Sequence, residues 1–120
     1  MDSLKLIGVC PNMNKAASGY SVILIDLEQA NYYVKTINIT KSLILVTSQI
    51  DWTWTRVLEH FKGVITDHGT RVSRAAEVLA LMTLPGALGT ENATKVLRSG
   101  DQVQIVCKGN KTHVYVSSEC

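Results

Sequence analysis

The 120-residue chain has the length of a single domain and is too short for a nucleotide-binding domain together with a substrate domain. Hydrophobic residues make up 46% and charged residues 18%, with eight glycines and two prolines, which excludes collagen-like and disordered proteins. The formal charge of +2 comes from basic residues scattered singly along the chain, so no nucleic-acid partner is expected.

The longest apolar runs, Val22–Ile25 and Leu43–Val46, fall far short of the roughly 20 residues that a membrane-spanning helix needs. Residues 1–5 include an acidic residue and no apolar stretch follows them, so a secretory signal is not expected. The sequence therefore predicts a cytoplasmic protein with no membrane partner.

Three cysteines, Cys10, Cys107 and Cys120, are odd in number and widely spaced. This pattern fits neither a disulfide framework nor a zinc site, and it is typical of reduced thiols. His60 and His113 have no Asp or Cys neighbour at ligand or triad spacing, so we interpret both as structural. We therefore expect no metal and no cofactor.

The first 47 residues predict four strands. Leu4–Val9 alternates and includes β-branched residues, and Tyr20–Ile25 is a continuous apolar run. Tyr32–Ile37 and Leu43–Thr47 are each bounded by polar or small residues. The front half of the chain is therefore predicted to be rich in β-structure.

The pattern changes at Thr53, where a helix is predicted up to Gly63. Its apolar residues at helical spacing are Trp54, Val57, Leu58 and Phe61. A short strand, Val64–Thr66, comes next. After the loop 67–72, Ser73 is a candidate N-cap for the best-marked helix in the chain, which continues towards Pro85. The apolar face of that helix consists of Ala75, Ala76, Val78, Leu79 and Met82.

The last third of the chain predicts shorter elements. Pro85–Leu88 is a candidate buried strand and Asn92–Leu97 a short helix. Val103–Cys107 and His113–Val116 form a predicted hairpin, with its turn at residues 108–111. Together, the elements predict a single mixed α/β domain over residues 1–120, with a β-rich shell and two or three helices.

Residues 45–94 carry a series of short motifs in a fixed order, and one further pair follows at residues 100–101. They are Leu45-Val46-Thr47, Ile50-Asp51-Trp52-Thr53-Trp54, Val64-Ile65-Thr66, Gly69-Thr70-Arg71-Val72-Ser73-Arg74-Ala75-Ala76, Thr83-Leu84-Pro85-Gly86-Ala87-Leu88-Gly89, Ala93-Thr94 and Gly100-Asp101. Without a gap from residue 45 to 94, this series resembles the swivelling phosphohistidine domain of the phosphoenolpyruvate-utilising enzymes, most closely that of phosphoenolpyruvate synthase. The first 44 residues match only weakly, through Gly8, Pro11 and Gly19.

The resemblance implies a chemistry that depends on one histidine. In the family, a histidine at a helix N-terminus accepts a phosphoryl group in one active site and delivers it in another. A neutral ring nitrogen is needed to attack phosphorus. The free N–H groups and the dipole of the helix N-terminus favour the phosphate.

The resemblance places Arg74 at the position of that histidine. A guanidinium stays protonated above about pH 12 and has no lone pair with which to attack phosphorus. Ala80 and Leu81 stand where the family helix has Arg and Glu, and Val72 stands where the family has Thr. The resemblance therefore implies a degenerate scaffold whose carrier chemistry is lost.

An alternative acceptor is His68, because Thr66-Asp67-His68 imitates the Thr-Ser-His sequence of the family. This second register loses the matches at Pro85, Gly89 and Ala93-Thr94, so His68 is more simply explained as a loop residue. Both acceptor hypotheses remain open from the sequence.

A candidate anion site is formed by Arg74, Arg71, Ser73 and Gly69. Arginines beside a hydroxyl and a glycine-bearing loop at a helix N-terminus can hold a phosphate group of a nucleotide, of phosphoenolpyruvate or of a phosphorylated partner. The simpler alternatives are solvated arginines and a serine that only caps the helix. Trp52 and Trp54 are candidates for a docking surface, although Trp54 is better explained as a core residue.

The resemblance also implies a partner. Family enzymes place this domain between an ATP-grasp nucleotide-binding domain and a barrel that binds phosphoenolpyruvate or pyruvate, and neither fits within 120 residues. We therefore expect a separate ATP-grasp or phosphoenolpyruvate/pyruvate-binding protein as partner. Two functions follow: a stand-alone, non-catalytic subunit or regulator that binds a partner enzyme or a phosphorylated ligand, or an active phosphocarrier between ATP and pyruvate or a similar acceptor that uses His68.

Overall fold

Seven strands form one mixed sheet in the computed structural model, which describes residues 2–12, 15–37 and 42–117. The strands are β1 (Asp2–Val9), β2 (Ala16–Ile23), β3 (Leu43–Thr47), β4 (Gly63–Thr66), β5 (Gly86–Ala87), β6 (Gln102–Lys108) and β7 (Lys111–Ser117). Their order across the sheet is β1-β7-β6-β2-β3-β4-β5. The strands β2 to β5 run parallel, whereas β1, β7 and β6 join them in antiparallel fashion.

Four α-helices and one 3-10 turn accompany the sheet in the described ranges. They are α1 (Leu27–Thr36), the 3-10 turn Trp52–Trp54, α2 (Thr55–Leu58), α3 (Arg74–Met82) and α4 (Ala93–Val96). Because α1, the 3-10 turn and α3 each follow a parallel strand, all three begin at the same edge of the sheet, beyond the carboxyl ends of β2, β3 and β4. The fold is mixed α/β, as the sequence predicts.

The prediction of a strand at Tyr32–Ile37 is wrong, since most of this segment belongs to α1. Asp26 caps the helix by accepting a hydrogen bond from the Gln29 N–H at 2.8 Å. The apolar residues of α1 recur at helical spacing and pack against the first hydrophobic cluster of the sheet; they are Leu27, Ala30, Tyr33 and Val34. The neighbouring prediction, Tyr20–Ile25, is shifted, because β2 begins at Ala16 and ends at Ile23.

The predicted helix between Thr53 and Gly63 is shorter than expected. It consists of the 3-10 turn and the four residues of α2, and Gly63 already belongs to β4. In contrast, α3 confirms the prediction of a helix capped by Ser73, with four of its five predicted apolar residues buried. The helix ends at Met82, and its C-cap, Thr83, adopts a left-handed conformation with φ of 54°. The hairpin of β6 and β7, the short strand β5 and the short helix α4 are also confirmed.

Two hydrophobic clusters lie on the two faces of the sheet. The first contains Trp54, Val57, Leu58, Val78 and Leu79 from the helical layer, packed on β2, β3 and β4. The second contains side chains from β1, β3, β4, β6 and β7 together with α4 and Leu97. All five residues of β3 are buried, as expected for a parallel strand covered on both faces.

The sheet curls until its two edge strands meet. Val9 in β1 and Leu88 after β5 exchange two backbone hydrogen bonds of 2.6 and 3.0 Å. The approach is so close at Gly8 that a Cβ there would lie 2.7 Å from the Leu88 carbonyl oxygen. The neighbouring Thr112 hydroxyl donates to the Gly86 carbonyl at 2.7 Å. We call this meeting of Val9, Leu88, Thr112 and Gly86 the seam.

The prediction that the cysteines are reduced thiols is wrong for two of them, because Cys10 and Cys107 form a disulfide in the structure. Their Cα atoms are 5.7 Å apart, although 97 positions separate them in the sequence. Folding brings the end of β1 next to β6, which no local spacing in the sequence indicates. Cys120 lies outside the described residues.

Within residues 2–12, 15–37 and 42–117, none of the helices has the length and apolar character needed to cross a membrane.

Candidate functional site

A cavity of about 810 Å³ lies at the sheet edge where α1, the 3-10 turn and α3 begin. Its lining comes from the segments that follow three parallel strands: Ile25, Asp26 and Leu27 after β2; Ser48, Gln49, Ile50, Asp51 and Trp54 after β3; and His68, Gly69, Ser73, Arg74 and Ala75 after β4. The carboxyl edge of a parallel sheet is the usual position of binding sites in α/β folds. We call this space the edge cavity.

The edge cavity brings together most of the residues predicted from the sequence. Arg74, Ser73 and Gly69 line it, and so does His68, the alternative acceptor. Arg71 is exposed on the same loop and is not part of the lining. The two competing hypotheses about the acceptor therefore concern one and the same cavity.

The loop between β4 and α3 is held in place by its own polar groups. The Thr66 hydroxyl donates to the His68 carbonyl at 2.6 Å, and the His68 N–H donates to the Ser48 carbonyl at 3.0 Å. Gly69 has φ of +132°, a backbone conformation that residues with a side chain rarely adopt. A Cβ at Gly89 would lie 2.5 Å from the Gly69 carbonyl oxygen, so this second glycine leaves space for the loop.

The hydroxyl of Ser73 is engaged in hydrogen bonds with its neighbouring residues. Its hydroxyl accepts hydrogen bonds from the N–H groups of Ala76 at 3.4 Å and Thr70 at 3.1 Å, and it donates to the Thr70 carbonyl at 2.8 Å. Arg74 follows as the first residue of α3 with an exposed side chain. The arginine, rather than the serine, is therefore the group in this pair that is available to a ligand.

Two acidic residues of the cavity were not predicted as site residues. Asp26 caps α1, and Asp51 caps the 3-10 turn by accepting from the Thr53 N–H at 2.9 Å. The pKa of Asp51 is lowered mainly by the hydrogen bond from the Thr53 hydroxyl, then by that N–H, with a smaller contribution from the positive charge of Arg74. An Asp followed three residues later by Gln, as in 26–29, is a capping signal that could have identified Asp26.

Asp67 is a third acidic residue that sequence reasoning left unassigned. It is buried, and its carboxylate accepts hydrogen bonds from the N–H of Thr94 at 2.9 Å and from the Thr94 hydroxyl at 2.5 Å. This pair ties the loop after β4 to the start of α4. Asp67 therefore positions the loop and is not a member of the cavity lining.

The remaining candidates lie elsewhere. Trp54 is buried in the first cluster, which confirms its role as a core residue, whereas Trp52 is 43% exposed. His113 lies in β7 and stacks on Tyr115, with ring centroids 6.4 Å apart. His60 is exposed just after α2. In the described part of the chain, no three His, Cys, Asp or Glu side chains are grouped as a metal site requires.

Comparison with protein families identifies the family to which this domain belongs. The family model for the mobile domain of PEP-utilising enzymes matches residues 39–109, more than half of the chain. The chain belongs to this mobile-domain family. The match includes β3, β4 and α3, and so most of the lining of the edge cavity.

Individual relatives agree with this assignment. The mobile domain is 31% identical to a phosphoenolpyruvate synthase of Aquifex aeolicus over 103 residues, 85% of this chain and 11% of the relative. It is 27% identical to a rifampicin phosphotransferase of Bacillus cereus over 95 residues, 79% of this chain and 10% of the relative. The chain thus spans about a tenth of the length of these relatives.

Solved structures support the fold. A solution structure of Enzyme I superimposes with a TM-score of 0.54 at 22% identity, covering 68% of this chain and 33% of the other. A muramoyltetrapeptide carboxypeptidase from Oxalobacter formigenes gives a TM-score of 0.63 at 14% identity, covering 98% of this chain and 50% of the other. At these identities the likeness concerns the fold alone.

Proposed function

We propose that this mobile domain is non-catalytic and acts as a subunit or regulator that binds an anionic group at Arg74. The observation that carries the proposal is the position of Arg74, exposed at the first residue of α3 and lining the edge cavity. The domain would act with a partner enzyme and would not be catalytic alone.

The absence of carrier chemistry follows from the residue at the helix start. By resemblance to the family, Arg74 stands at the position of the phosphorylated histidine. A guanidinium has five N–H donors and no free lone pair, so it can hold a phosphate but cannot attack phosphorus. The proposal therefore replaces covalent transfer by reversible binding.

The charges around the cavity favour anion binding at the start of α3 over binding at the starts of the other helices. Positive dipole ends of α1 and of the 3-10 turn already face carboxylates, because Asp26 and Asp51 are their caps. The cap of α3 is the uncharged Ser73, and Arg74 adds a positive charge. An anion is therefore attracted to the start of α3 and repelled by the opposite wall.

The binding residues would be Arg74, with Ser73 and Gly69 shaping the loop and Arg71 contributing from its exposed position. A phosphate monoester or a carboxylate suits a guanidinium, which can donate two parallel hydrogen bonds to either group. Phosphoenolpyruvate carries a phosphate and a carboxylate. A phosphorylated protein surface presents the same two groups where a phosphorylated residue lies beside an acidic side chain.

The partner is proposed from the resemblance and from the size of the relatives. Phosphoenolpyruvate synthases are about ten times longer than the matched region, so their remaining parts are candidates for what this domain binds. We propose a separate ATP-grasp or phosphoenolpyruvate/pyruvate-binding protein, in the cytoplasm, with neither nucleic acid nor a membrane involved.

A second candidate function is that of an active phosphocarrier that uses His68. One observation favours it: His68 is exposed and lines the same cavity as Arg74. The imidazole would accept the phosphoryl group, and Arg74 would then neutralise its charge.

One experiment separates the two functions. The chain is incubated with a cognate ATP-grasp partner and ATP labelled on its phosphates, and any protein-bound label is tested for stability in acid and base. The non-catalytic proposal expects no acid-labile, base-stable label in the wild type and the same partner binding in His68→Ala. Label that appears in the wild type and disappears in His68→Ala would reject the proposal and establish the phosphocarrier.

A binding measurement tests the anion site directly. Orthophosphate and phosphoenolpyruvate are titrated into the wild type, into Arg74→Gln and into Arg56→Gln, which changes an exposed arginine of α2 outside the cavity. We expect Arg74→Gln to weaken binding at least tenfold and Arg56→Gln to leave it unchanged. Equal affinities in all three proteins would contradict an anion site at Arg74.

A further inference from the structure

The charged side chains of the edge cavity are ordered by sign along the edge of the sheet. Arg74 follows β4, Asp51 follows β3 and Asp26 follows β2, and these three strands are neighbours in the sheet. Because adjacent strands lie about 4.8 Å apart, the ends of β2 and β4 are separated by roughly 10 Å. The cavity is therefore positive beyond β4 and negative beyond β3 and β2.

The charges of the lining do not balance one another. Besides His68, the lining contains one positive side chain and two negative ones. A simple anion held by Arg74 is attracted by the guanidinium and repelled by both carboxylates. A ligand that carries a positive group next to its anionic group would instead be attracted at both ends.

Each of the two carboxylates has an oxygen available to such a positive group. The Oδ1 atom of Asp26 accepts from the Gln29 N–H at 2.8 Å, and Oδ1 of Asp51 accepts from the Thr53 N–H at 2.9 Å and from the Thr53 hydroxyl. Among the described residues, no group donates a hydrogen bond to Oδ2 of either aspartate. Capping therefore uses only one oxygen of each carboxylate.

The size of the edge cavity suits an organic ligand better than a bare phosphate ion. Its volume of about 810 Å³ lies within the range of small-molecule sites, about 300–1,000 Å³. Leu27, Ile50 and Trp54 add apolar surface to the lining. Such a combination of apolar surface and a few charged groups is typical of sites that bind the carbon skeleton of a ligand as well as its polar ends.

We infer that the edge cavity binds a small amine-bearing phosphate ester, with its phosphate at Arg74 and its ammonium group at Asp51 or Asp26. The inference rests on the anion site proposed above and names the class of ligand that this site takes. A guanidinium binds phosphate through parallel hydrogen bonds, and an ammonium group, with three donors and no acceptor, matches a carboxylate oxygen. The length of the carbon chain decides which aspartate the ammonium group reaches.

The test uses pairs of compounds that differ in a single group. 2-Aminoethyl phosphate is compared with propyl phosphate, and 4-aminobutyl phosphate with pentyl phosphate. In each pair the alkyl compound has a methyl group where the amine has its ammonium group. All four compounds and orthophosphate are titrated into the wild type by calorimetry at pH 7, in low and in high salt.

Two variants identify the residues responsible. Asp26→Asn combined with Asp51→Asn removes both negative charges, and because asparagine is an equally good N-cap, both capped turns are retained. Glu59→Gln is the matched control, since Glu59 is an exposed acidic residue after α2 that does not line the cavity.

We expect at least one amine to bind the wild type at least fivefold more tightly than its alkyl counterpart. This advantage should disappear in the double variant, persist in Glu59→Gln and decrease in high salt, which screens exposed charges. An advantage that persists in the double variant would overturn the inference.

The wild-type titrations alone separate this inference from the proposed anion site, so the decision does not require a variant that folds. Equal affinities for the amine and alkyl compounds, with orthophosphate still bound, would overturn the inference and leave the anion site intact. If neither orthophosphate nor any of the four esters binds, the anion site and the inference are both wrong.

Discussion

Arg74 and Asp51 face the same cavity from two different helix starts, and the positive charge of Arg74 contributes to the lowered pKa of the Asp51 carboxyl. The larger contributions come from the hydroxyl and the N–H of Thr53. The two charges therefore interact electrostatically across the cavity. An anion bound at Arg74 would also feel the negative charge of Asp51, so we expect Asp51 to influence its affinity.

The lowered pKa of Asp51 predicts a pH dependence of stability. A carboxyl whose pKa is lower in the folded than in the unfolded state stabilises the fold above its unfolded pKa, and this stabilisation is lost as the pH falls through the folded pKa. We expect Asp51→Asn to be less stable than the wild type at pH 7 and the difference to shrink as the pH falls below the ordinary carboxyl pKa of about 3.9. Urea unfolding at pH 7, 4.5 and 3 measures this. A difference that persists unchanged at pH 3 would show that ionisation of Asp51 is not involved.

Ser73 allows the cap and the anion site to be separated. Ser73→Ala removes the cap of α3 and should lower the free energy of unfolding by about 1 kcal/mol. Ser73→Asp keeps a capping oxygen, so its stability should stay within about 0.5 kcal/mol of the wild type, whereas its negative charge should abolish orthophosphate binding. Chemical denaturation and isothermal titration give the two readouts. Undiminished orthophosphate binding in Ser73→Asp would place the anion somewhere other than the start of α3.

Gly89 is expected to tolerate no side chain. Its φ is +65°, and an added Cβ would meet the Gly69 carbonyl oxygen of the cavity loop. Gly89→Ala should therefore cost about 2 kcal/mol or more, from backbone strain together with the displaced loop. Gly109→Ala is the matched control, because Gly109 has φ of +63° and nothing within 4 Å of the added Cβ. Thermal or urea unfolding of both variants measures the loss of stability. Equal losses in free energy of unfolding would mean that the contact with Gly69 is unimportant.

Arg74→His tests how much of the carrier chemistry a single imidazole restores. We expect little or no transfer of label from ATP in the presence of the partner, because phosphoryl transfer needs groups that position and neutralise the phosphate as well as the attacking nitrogen. Ala80 and Leu81, both exposed in the last turn of α3, replace the Arg and Glu that the family resemblance leads one to expect. Rapid labelling of Arg74→His would show that the scaffold had lost only its nucleophile.

The sequence was most informative where local signals and tertiary packing agree. Ser73 followed by an apolar face predicts α3 correctly, and the glycine-containing turn at 108–111 predicts the β6 and β7 hairpin. The prediction at Tyr32–Ile37 was wrong because β-branched and aromatic residues favour strands locally, whereas the Asp26 cap and the packing of Ala30 on the sheet favour a helix. Tertiary context decided this segment.

The candidate site was predictable only in part. Motif order placed Gly69, Ser73 and Arg74 together, and these residues share one cavity. Asp26 and Asp51 were missed because they lie far apart in the sequence, and only the parallel pairing of β2 with β3 brings them to one edge of the sheet. The disulfide was missed for the same reason, since only the fold brings Cys10 and Cys107 together.

The irregular start of β1 has a consequence for how copies of this chain behave at high concentration. Pairing with β7 shifts register between Leu4 and Leu6, so the exposed Lys5 has no partner residue in that ladder. A bulge and a lysine on an edge strand hinder the addition of a further strand, because the edge is bent and the charge would have to be buried. The design therefore protects β1 against edge-to-edge aggregation, and we expect Lys5→Val to shorten the lag time of fibril formation.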